Sequence, residues 1–302
     1  MRTVGTACVG LAFVAGCGAG APPVQPVMVR APVKVAHCFM KFPDVRGGRI
    51  NRARLQRDLA RYVAGRPGRV VYGAHDLVSG VSLGQGQHRN DIITASGAKV
   101  DILAALLRRR SGRLGEDELD LATRMVTESD NDAADRLWAR VGGGGTMSGF
   151  YRRIGLKETT PGPGKYWGGT LTSPADRIRL LKVLVKGGRG ISSRSRAQVL
   201  SLMGRVVKDQ AWGVSAAARP QDRVALKNGW TPRPFVHNTW AVTSYGRVHG
   251  PGRDLLLSVQ TDQQPGEGAG IQTIEGIARM IGRRLDTLTP TVTRRCPTNP
   301  TF

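Results

Sequence analysis

The chain has 302 residues, 40% of them hydrophobic, and carries a formal net charge of +23. A charge of this size attracts polyanions, but the basic residues are spread along the whole chain and aromatic residues make up only 5% of it, which argues against a nucleic-acid-binding protein. The charge instead suits anionic lipid head groups or anionic wall polymers, or it reflects an arginine-rich coding bias.

The first residues have the pattern of a bacterial export signal. One basic residue precedes an apolar run that is too short to span a bilayer as a mature helix. The run ends in the sequence VAGC, which resembles a lipobox, so residues 1–16 are predicted to be a signal peptide and Cys17 the lipidated first residue of the mature chain. Ordinary signal cleavage that discards Cys17 is the alternative.

Residues 17–37 are predicted to be a Pro-rich linker, which would hold the following domain away from the outer face of the membrane. No second linker of this kind follows, so residues 38–302 are predicted to form one domain, acting as a monomer. In an exported chain, a disulfide between Cys38 and Cys296 would tie its ends together. The five histidines show no metal-ligand spacing, so neither a metal nor another cofactor is expected.

The first elements of the domain are predicted to be a helix and a hairpin. Apolar residues recur at helical spacing from Asn51 to Ala64, and a glycine and a proline follow. Residues 69–76 are β-branched and aromatic, and a turn at Ser79 and Gly80 leads into a second strand that ends at Leu83.

The next helix begins with the residues that we expect to carry the chemistry. Ser96 and Lys99 stand three residues apart in its first turn, so the Lys99 amine lies within reach of the Ser96 hydroxyl. A partly desolvated lysine can take the proton of a serine and make it a nucleophile. Backbone N–H groups at the helix N-terminus would also face a developing oxyanion. An isolated Ser-x-x-Lys match is more often an N-cap followed by an exposed lysine.

Two helices are predicted between Gly115 and Val141, with the tripeptide Ser129-Asp130-Asn131 between them. In an extended turn, Ser129 and Asn131 would point the same way and offer a hydroxyl for proton transfer and a carboxamide for a substrate amide. Taken alone, the same residues are also typical of an ordinary helix N-cap.

Two segments have a lysine followed two residues later by a glycine. Lys186 ends a helix that begins near Pro174, whereas Lys227 lies in a predicted strand, where Gly229 would allow a close approach of another backbone or a ligand. We therefore choose Lys227. Two further strands, at residues 238–245 and 255–261, and a helix at 271–285 complete the predicted elements.

Together, these three motifs resemble those of class A β-lactamases and penicillin-binding proteins, in the same order and in matching elements. The resemblance extends over about residues 50 to 286, through segments such as GEDELDLATRMVTESDNDAADRLW. The chain is also similar to actinobacterial β-lactamase-like lipoproteins. The resemblance implies an α/β fold with a five-stranded antiparallel sheet flanked by helices, an all-helical subdomain, and an active site between them.

The resemblance also implies roles for the matching residues. Ser96 would attack a carbonyl, with Lys99 as its base or as part of the proton relay. The backbone N–H groups of Ser96 and Trp230 would form the oxyanion hole. Ser129 would pass a proton to the leaving nitrogen.

Substrate contacts are implied for Asn131, Asn228 and Gly229, and Lys227 would meet a substrate carboxylate. Asn228 stands where the family has threonine or serine, which is expected to weaken binding of acidic substrates. Two further candidates for the partner of such a carboxylate follow the strand, Arg233 and His237.

The larger departure concerns the loop of residues 159–174, where class A enzymes carry the glutamate that activates water for deacylation. Here the loop has no acidic residue; Glu158 precedes it, and Glu128 belongs to the helix before Ser129. Tyr166 and Trp167 are placed to close the site but are poor bases near neutral pH. We therefore expect acylation at Ser96 and slow deacylation.

Three functions follow from the sequence. The first is a serine hydrolase acylated by a β-lactam or a related amide or ester. The second is a DD-peptidase-like enzyme that acts on peptidoglycan-type peptides. The third is a non-catalytic lipoprotein that binds an envelope partner. The first is favoured because Ser96, Lys99, Ser129, Asn131 and Lys227 are all present.

Overall fold

The structure is a computed structural model that describes residues 39–41, 45–288 and 293–295, with side chains for residues 46–288. The predicted signal peptide and the whole predicted linker lie outside these residues, as do Cys17, Cys38 and Cys296. Residues 41–293 form one compact unit.

The described residues form an α/β fold in which strands and helices occur in runs along the chain. The strands are β1 (Phe39–Lys41), β2 (Arg69–Asp76), β3 (Ser82–Gln85), β4 (Ile92–Ile93), β5 (Leu171–Thr172), β6 (Arg223–Arg233), β7 (Thr239–Gly250), β8 (Arg253–Gln264) and β9 (Thr293–Arg295). The helices are α1 (Val45–Ala64), α2 (Ala98–Arg109), α3 (Glu116–Thr127), α4 (Asn131–Val141), α5 (Gly143–Ile154), α6 (Pro174–Lys186), α7 (Ser193–Met203) and α8 (Glu267–Leu288).

Five antiparallel strands form the main sheet, in the order β3-β2-β8-β7-β6. Successive side chains of a strand point to opposite faces, so each face builds its own core. On one face, Leu257 and Val259 of β8 pack with α1 and α8. On the other, Leu256 of β8 and Tyr245 of β7 belong to the core of helices α2 to α7. The predicted sheet and helical subdomain are therefore confirmed.

Most of the predicted elements are present, with shifted ends. The hairpin forms as expected, with Gly80 in the left-handed region at φ +72°. Helix α1 begins at Val45 rather than at Asn51, so it includes Gly47 and a buried Gly48 despite the low helix propensity of glycine. Helices α5 and α7 were not predicted from the sequence.

Within the described residues, no helix combines the length and the apolar character that crossing a membrane requires. Residues 39–41 and 293–295 pair separately in a two-stranded sheet.

Candidate active site

Ser96 lies in a single 3-10 turn, Ala95–Gly97, directly before α2. Ala95 has φ +45°, a left-handed conformation that costs an alanine about 1–2 kcal/mol. The turn is held by hydrogen bonds from the sheet: the Tyr245 hydroxyl donates to the Gly97 carbonyl at 2.9 Å, and the Thr243 hydroxyl donates to the Thr94 carbonyl at 3.2 Å. The nucleophile candidate is therefore fixed against β7, half-buried and at the start of a helix.

Gly229 is the point where β6 approaches this turn. A Cβ atom at Gly229 would lie 2.1 Å from the Thr94 carbonyl oxygen and 3.0 Å from the Ser96 nitrogen. No side chain fits at these distances. The close approach that the sequence predicted at this glycine is present, and its partner is the backbone that carries Ser96.

The Lys99 side chain reaches back along α2 to the Ser96 hydroxyl. Its Nζ lies 2.9 Å from the Ser96 Oγ and also donates to the Ser129 carbonyl at 2.6 Å and to the Asn131 Oδ1 at 2.7 Å. The Ser129 Oγ is 3.2 Å away. The amine is thus at proton-transfer distance from the hydroxyl that it would activate.

Burial lowers the pKa of Lys99 to about 7, against the opposing effect of the Asp130 and Asp135 carboxylates. The ring of Trp167 contributes to this burial, because its centroid lies 4.7 Å from the Nζ. The Trp167 indole N–H in turn donates to the Asp135 Oδ1 at 2.7 Å. The loop therefore closes over Lys99, as predicted for Trp167.

The residues of the tripeptide Ser129-Asp130-Asn131 have two different roles. Asp130 caps α4 by accepting a hydrogen bond from the Ala133 N–H at 3.0 Å. Ser129 and Asn131 face Lys99 instead. The predicted extended turn is wrong at Ser129, whose φ is +62°. This left-handed residue turns both its carbonyl and its hydroxyl toward the same amine.

Lys227 approaches Ser129 from the opposite side. Its Nζ donates to the Ser129 Oγ at 3.0 Å and to the Asn228 carbonyl at 2.9 Å. Burial and the nearby Lys99 charge lower the pKa of Lys227 well below its ordinary value. The choice of Lys227 over Lys186 agrees with this geometry, since Lys186 ends α6. The Ser129 hydroxyl thus lies between two lysine amines.

An open cleft of about 280 Å³ leads to Ser96. Its walls come from the Ser96 turn, α4, the loop before β5, and β6. The residues that line it are Ala95, Ser96, Asn131, Asp135, Lys165, Tyr166, Trp167, Gly168, Trp230 and Thr231. Trp230 therefore lies at the cleft wall, where its backbone was predicted to face an oxyanion. Lys227 is fully buried and is not among the lining residues.

Asn228 does not point into the cleft, so the prediction that its side chain contacts substrate is corrected. Its side-chain N–H₂ donates to the carbonyls of Gln210 at 2.8 Å and Trp212 at 3.1 Å, and the residue is fully buried. The reason is the alternation of side chains along β6, which places Asn228 on the face opposite Lys227. Through these hydrogen bonds Asn228 instead holds the segment of residues 210–212 against β6.

Arg233 and His237 are also not placed to bind a substrate carboxylate, the role that was predicted for them. The Arg233 guanidinium donates to the buried Asp262 carboxylate at 2.8 Å, and neither residue lines the cleft. Among the residues that line the cleft, Lys165 is the one cation, and it is exposed.

Residues 159–173 place no carboxylate in the cleft, since they include neither aspartate nor glutamate. Glu158 instead accepts hydrogen bonds from His88 at 2.8 Å and from Arg179 at 3.3 Å. The one carboxylate among the lining residues is Asp135, which the sequence analysis missed. The available signal was its spacing, four residues after Asn131 and so on the same face of α4.

In the part of the chain that the structure describes, no group of three or more histidine, cysteine, aspartate or glutamate residues is arranged to hold a metal ion.

The chain is similar to several known proteins. "Putative lipoprotein LppW" of Mycobacterium tuberculosis and of Mycobacterium bovis is 28% identical over 200 residues, which cover 63% of this chain and 62% of the relative. The chain thus spans less than two thirds of the length of these curated relatives.

Solved structures share the fold. PBP-A superposes with a TM-score of 0.66 at 23% identity, over 78% of this chain and 97% of that one. A class A β-lactamase from Mycobacterium abscessus superposes with a TM-score of 0.65 at 21% identity, over 76% of this chain and 99% of that one. A sequence profile described as the β-lactamase enzyme family matches residues 117–285. This match spans more than half of the chain, and we conclude that the protein belongs to the β-lactamase enzyme family.

Proposed function

We propose that the protein is a serine hydrolase that forms an acyl-enzyme at Ser96 with a β-lactam or a related amide or ester. The observation that carries the proposal is the 2.9 Å contact between the Lys99 Nζ and the Ser96 Oγ at the end of an open cleft. The neutral Lys99 amine takes the hydroxyl proton as the Ser96 oxygen attacks the carbonyl carbon. The backbone N–H groups of Ser96 and Trp230 stabilise the resulting oxyanion.

The leaving group receives its proton from Ser129. The Ser129 hydroxyl contacts Lys99 at 3.2 Å and Lys227 at 3.0 Å, so the proton that it gives to the leaving nitrogen is replaced from a neighbouring ammonium. Lys227 is buried behind Ser129, so it does not contact the substrate and instead donates a hydrogen bond to the Ser129 hydroxyl during proton transfer. Lys165 is better exposed to meet an anionic group of the substrate. Asn131, on the cleft wall, binds the substrate's side-chain amide.

Deacylation is slow in this proposal. The loop of residues 159–173 offers no carboxylate to activate water, and the Asp135 Oδ1 is engaged by the Trp167 indole. General base catalysis contributes about 100-fold to 10,000-fold to a rate, so the ester at Ser96 should persist. The mature protein carries a lipid at Cys17 and works on the outer face of the cell membrane, a location supported by the name of the LppW relatives.

The test is whole-protein mass spectrometry after incubation with a fluorescent penicillin. A single adduct is expected on the wild type and on Ser201→Ala, a control that removes an exposed serine of α7, but not on Ser96→Ala. No adduct on the wild type, or equal adducts on the wild type and Ser96→Ala, would overturn the proposal. Release of D-alanine from a peptidoglycan pentapeptide would assign the same site to a DD-peptidase.

The acylation rate is expected to depend on the ionisation of Lys99. Its pKa of about 7 is below the ordinary lysine value, so the neutral, basic form becomes the major one as the pH rises through about 7. The acylation rate should therefore increase from acidic to neutral pH and then level off. Rates measured with the fluorescent penicillin across this range check the prediction, and a rate that stays flat through neutral pH would contradict it.

A further inference from the structure

The exposed face of α1 carries a stripe of arginines. Helix α1 has six arginines and a single acidic residue, Asp58. A helix turns by about 100° per residue, so four of the arginines lie within about 40° of Ile50 around the helix axis. These residues, which we call the arginine stripe, are Arg46, Arg54, Arg57 and Arg61, with Ile50 at the centre.

The stripe points away from the domain. Leu55 and Leu59, on the opposite side of α1, are fully buried against the sheet and α8. Arg46, Arg54 and Arg57 are exposed, and among the described residues none of them forms an ion pair. The one acidic residue, Asp58, is already paired with Arg61 and with Arg284 of α8. Three guanidinium groups of the stripe therefore have no carboxylate partner among the described residues.

Ile50 adds an exposed apolar side chain to this basic surface. It is 50% exposed, a large apolar side chain surrounded by arginines. A hydrated soluble polyanion offers nothing to such a side chain. The interface of a bilayer accepts both an apolar side chain and cations that meet lipid phosphates.

We propose that the arginine stripe of α1 is a docking surface for a membrane that contains anionic phospholipids. Helix α1 is also the first described helix after the predicted lipid anchor, and the predicted linker limits only how far the domain can stand from the membrane, so docking of α1 is compatible with it. It packs on the face of the sheet opposite the one that holds α2 and the Ser96 turn. When α1 is docked on the membrane, the cleft at Ser96 therefore lies on the side of the sheet away from the membrane and stays accessible.

The test compares binding to vesicles of equimolar phosphatidylcholine and phosphatidylglycerol with binding to phosphatidylcholine alone. The full chain is used with Cys17→Ser, so that no lipid is attached. The stripe variant is Arg46→Gln/Arg54→Gln/Arg57→Gln. Its matched control removes the same charge from exposed arginines of other elements that form no ion pair among the described residues, Arg113→Gln/Arg153→Gln/Arg205→Gln.

We expect binding to the anionic vesicles only, with a decrease as salt is added. The stripe variant should bind about 100-fold more weakly, since each basic residue near an anionic surface contributes about fivefold. The control variant should lose much less. Ile50→Ser, a single change that removes the apolar centre without adding a charge, should also weaken binding by about tenfold.

Equal losses in the two triple variants would overturn the proposal in favour of diffuse charge attraction. Equal binding to both kinds of vesicle would also overturn it, and so would stripe-dependent binding to soluble polyphosphate without binding to vesicles. Unchanged thermal unfolding of each variant verifies that the fold is intact.

Discussion

Replacement of Lys99 with methionine is expected to slow acylation of Ser96 by about 100-fold to 10,000-fold, the usual contribution of general acid–base catalysis. Methionine has nearly the length of lysine and keeps contact with the Trp167 ring, but it cannot take the proton of the Ser96 hydroxyl. The buried lysine also lies within hydrogen-bond distance of Ser129 and Asn131, so the substitution interrupts the proton path to the leaving group as well.

Lys165→Met is the matched control, because it removes a lysine that lines the same cleft but lies in the loop before β5. The acylation rate of each variant is measured with a fluorescent penicillin at saturating and at limiting concentration. Lys165→Met should change mainly the concentration dependence, whereas Lys99→Met should lower the maximal rate. A maximal rate that is equally low in both variants would show that Lys99 has no special role at Ser96.

The main elements of the fold could be predicted because their patterns are local. The β2–β3 hairpin follows from β-branched residues on both sides of Gly80, and α6 from Ser173 and Pro174 at its start and Gly187 at its end. Helix α5 was missed because its first residues are mostly glycines, which have low helix propensity. Burial of residues such as Met147 and Phe150 in the core stabilises it instead.

The site was predictable only in part. Ser96 and Lys99 are one helical turn apart, so their contact can be expected from spacing alone. The Trp167–Asp135 hydrogen bond joins a loop to a helix 32 residues away in sequence, and only tertiary packing brings them together. Asn228 was assigned to the cleft from its motif, but the pleat of β6 turns its side chain toward the Trp212 carbonyl.

A second feature absent from the sequence analysis lies directly behind the Ser96 helix. Asp101 of α2 and Arg177 of α6 form an ion pair in which both side chains are almost fully buried, with an Nη1 to Oδ1 distance of 2.7 Å. The Tyr151 hydroxyl donates to the same carboxylate at 3.1 Å, and the guanidinium stacks over the Tyr245 ring at 5.5 Å. The Tyr245 hydroxyl in turn donates a hydrogen bond to the Gly97 carbonyl. The Asp101–Arg177 ion pair therefore supports the turn that carries Ser96.

Arg177→Met is expected to lower the free energy of unfolding by about 3–5 kcal/mol, because it leaves the Asp101 carboxylate buried without its cation. The double variant Asp101→Leu/Arg177→Met should recover most of this loss, since a buried ion pair replaced by apolar residues of similar volume costs little. Urea unfolding of the two variants and the wild type measures both effects. Equal destabilisation in the single and double variants would show that packing volume, not an unpaired charge, sets the cost.

The pH dependence of Arg177→Met separates these causes further. Burial raises the pKa of Asp101 in the folded protein even when Arg177 opposes it, so without Arg177 the folded state should bind a proton that the unfolded state releases. A group whose pKa is raised by folding loses stability as the pH increases. In the unfolded state Asp101 has an ordinary pKa of about 3.9, so it loses its proton as the pH rises above this value. The free energy of unfolding of the variant, relative to wild type, should therefore be lower at neutral pH than near pH 4 to 5. A difference between variant and wild type that does not change with pH would mean that Asp101 keeps its charge by another contact.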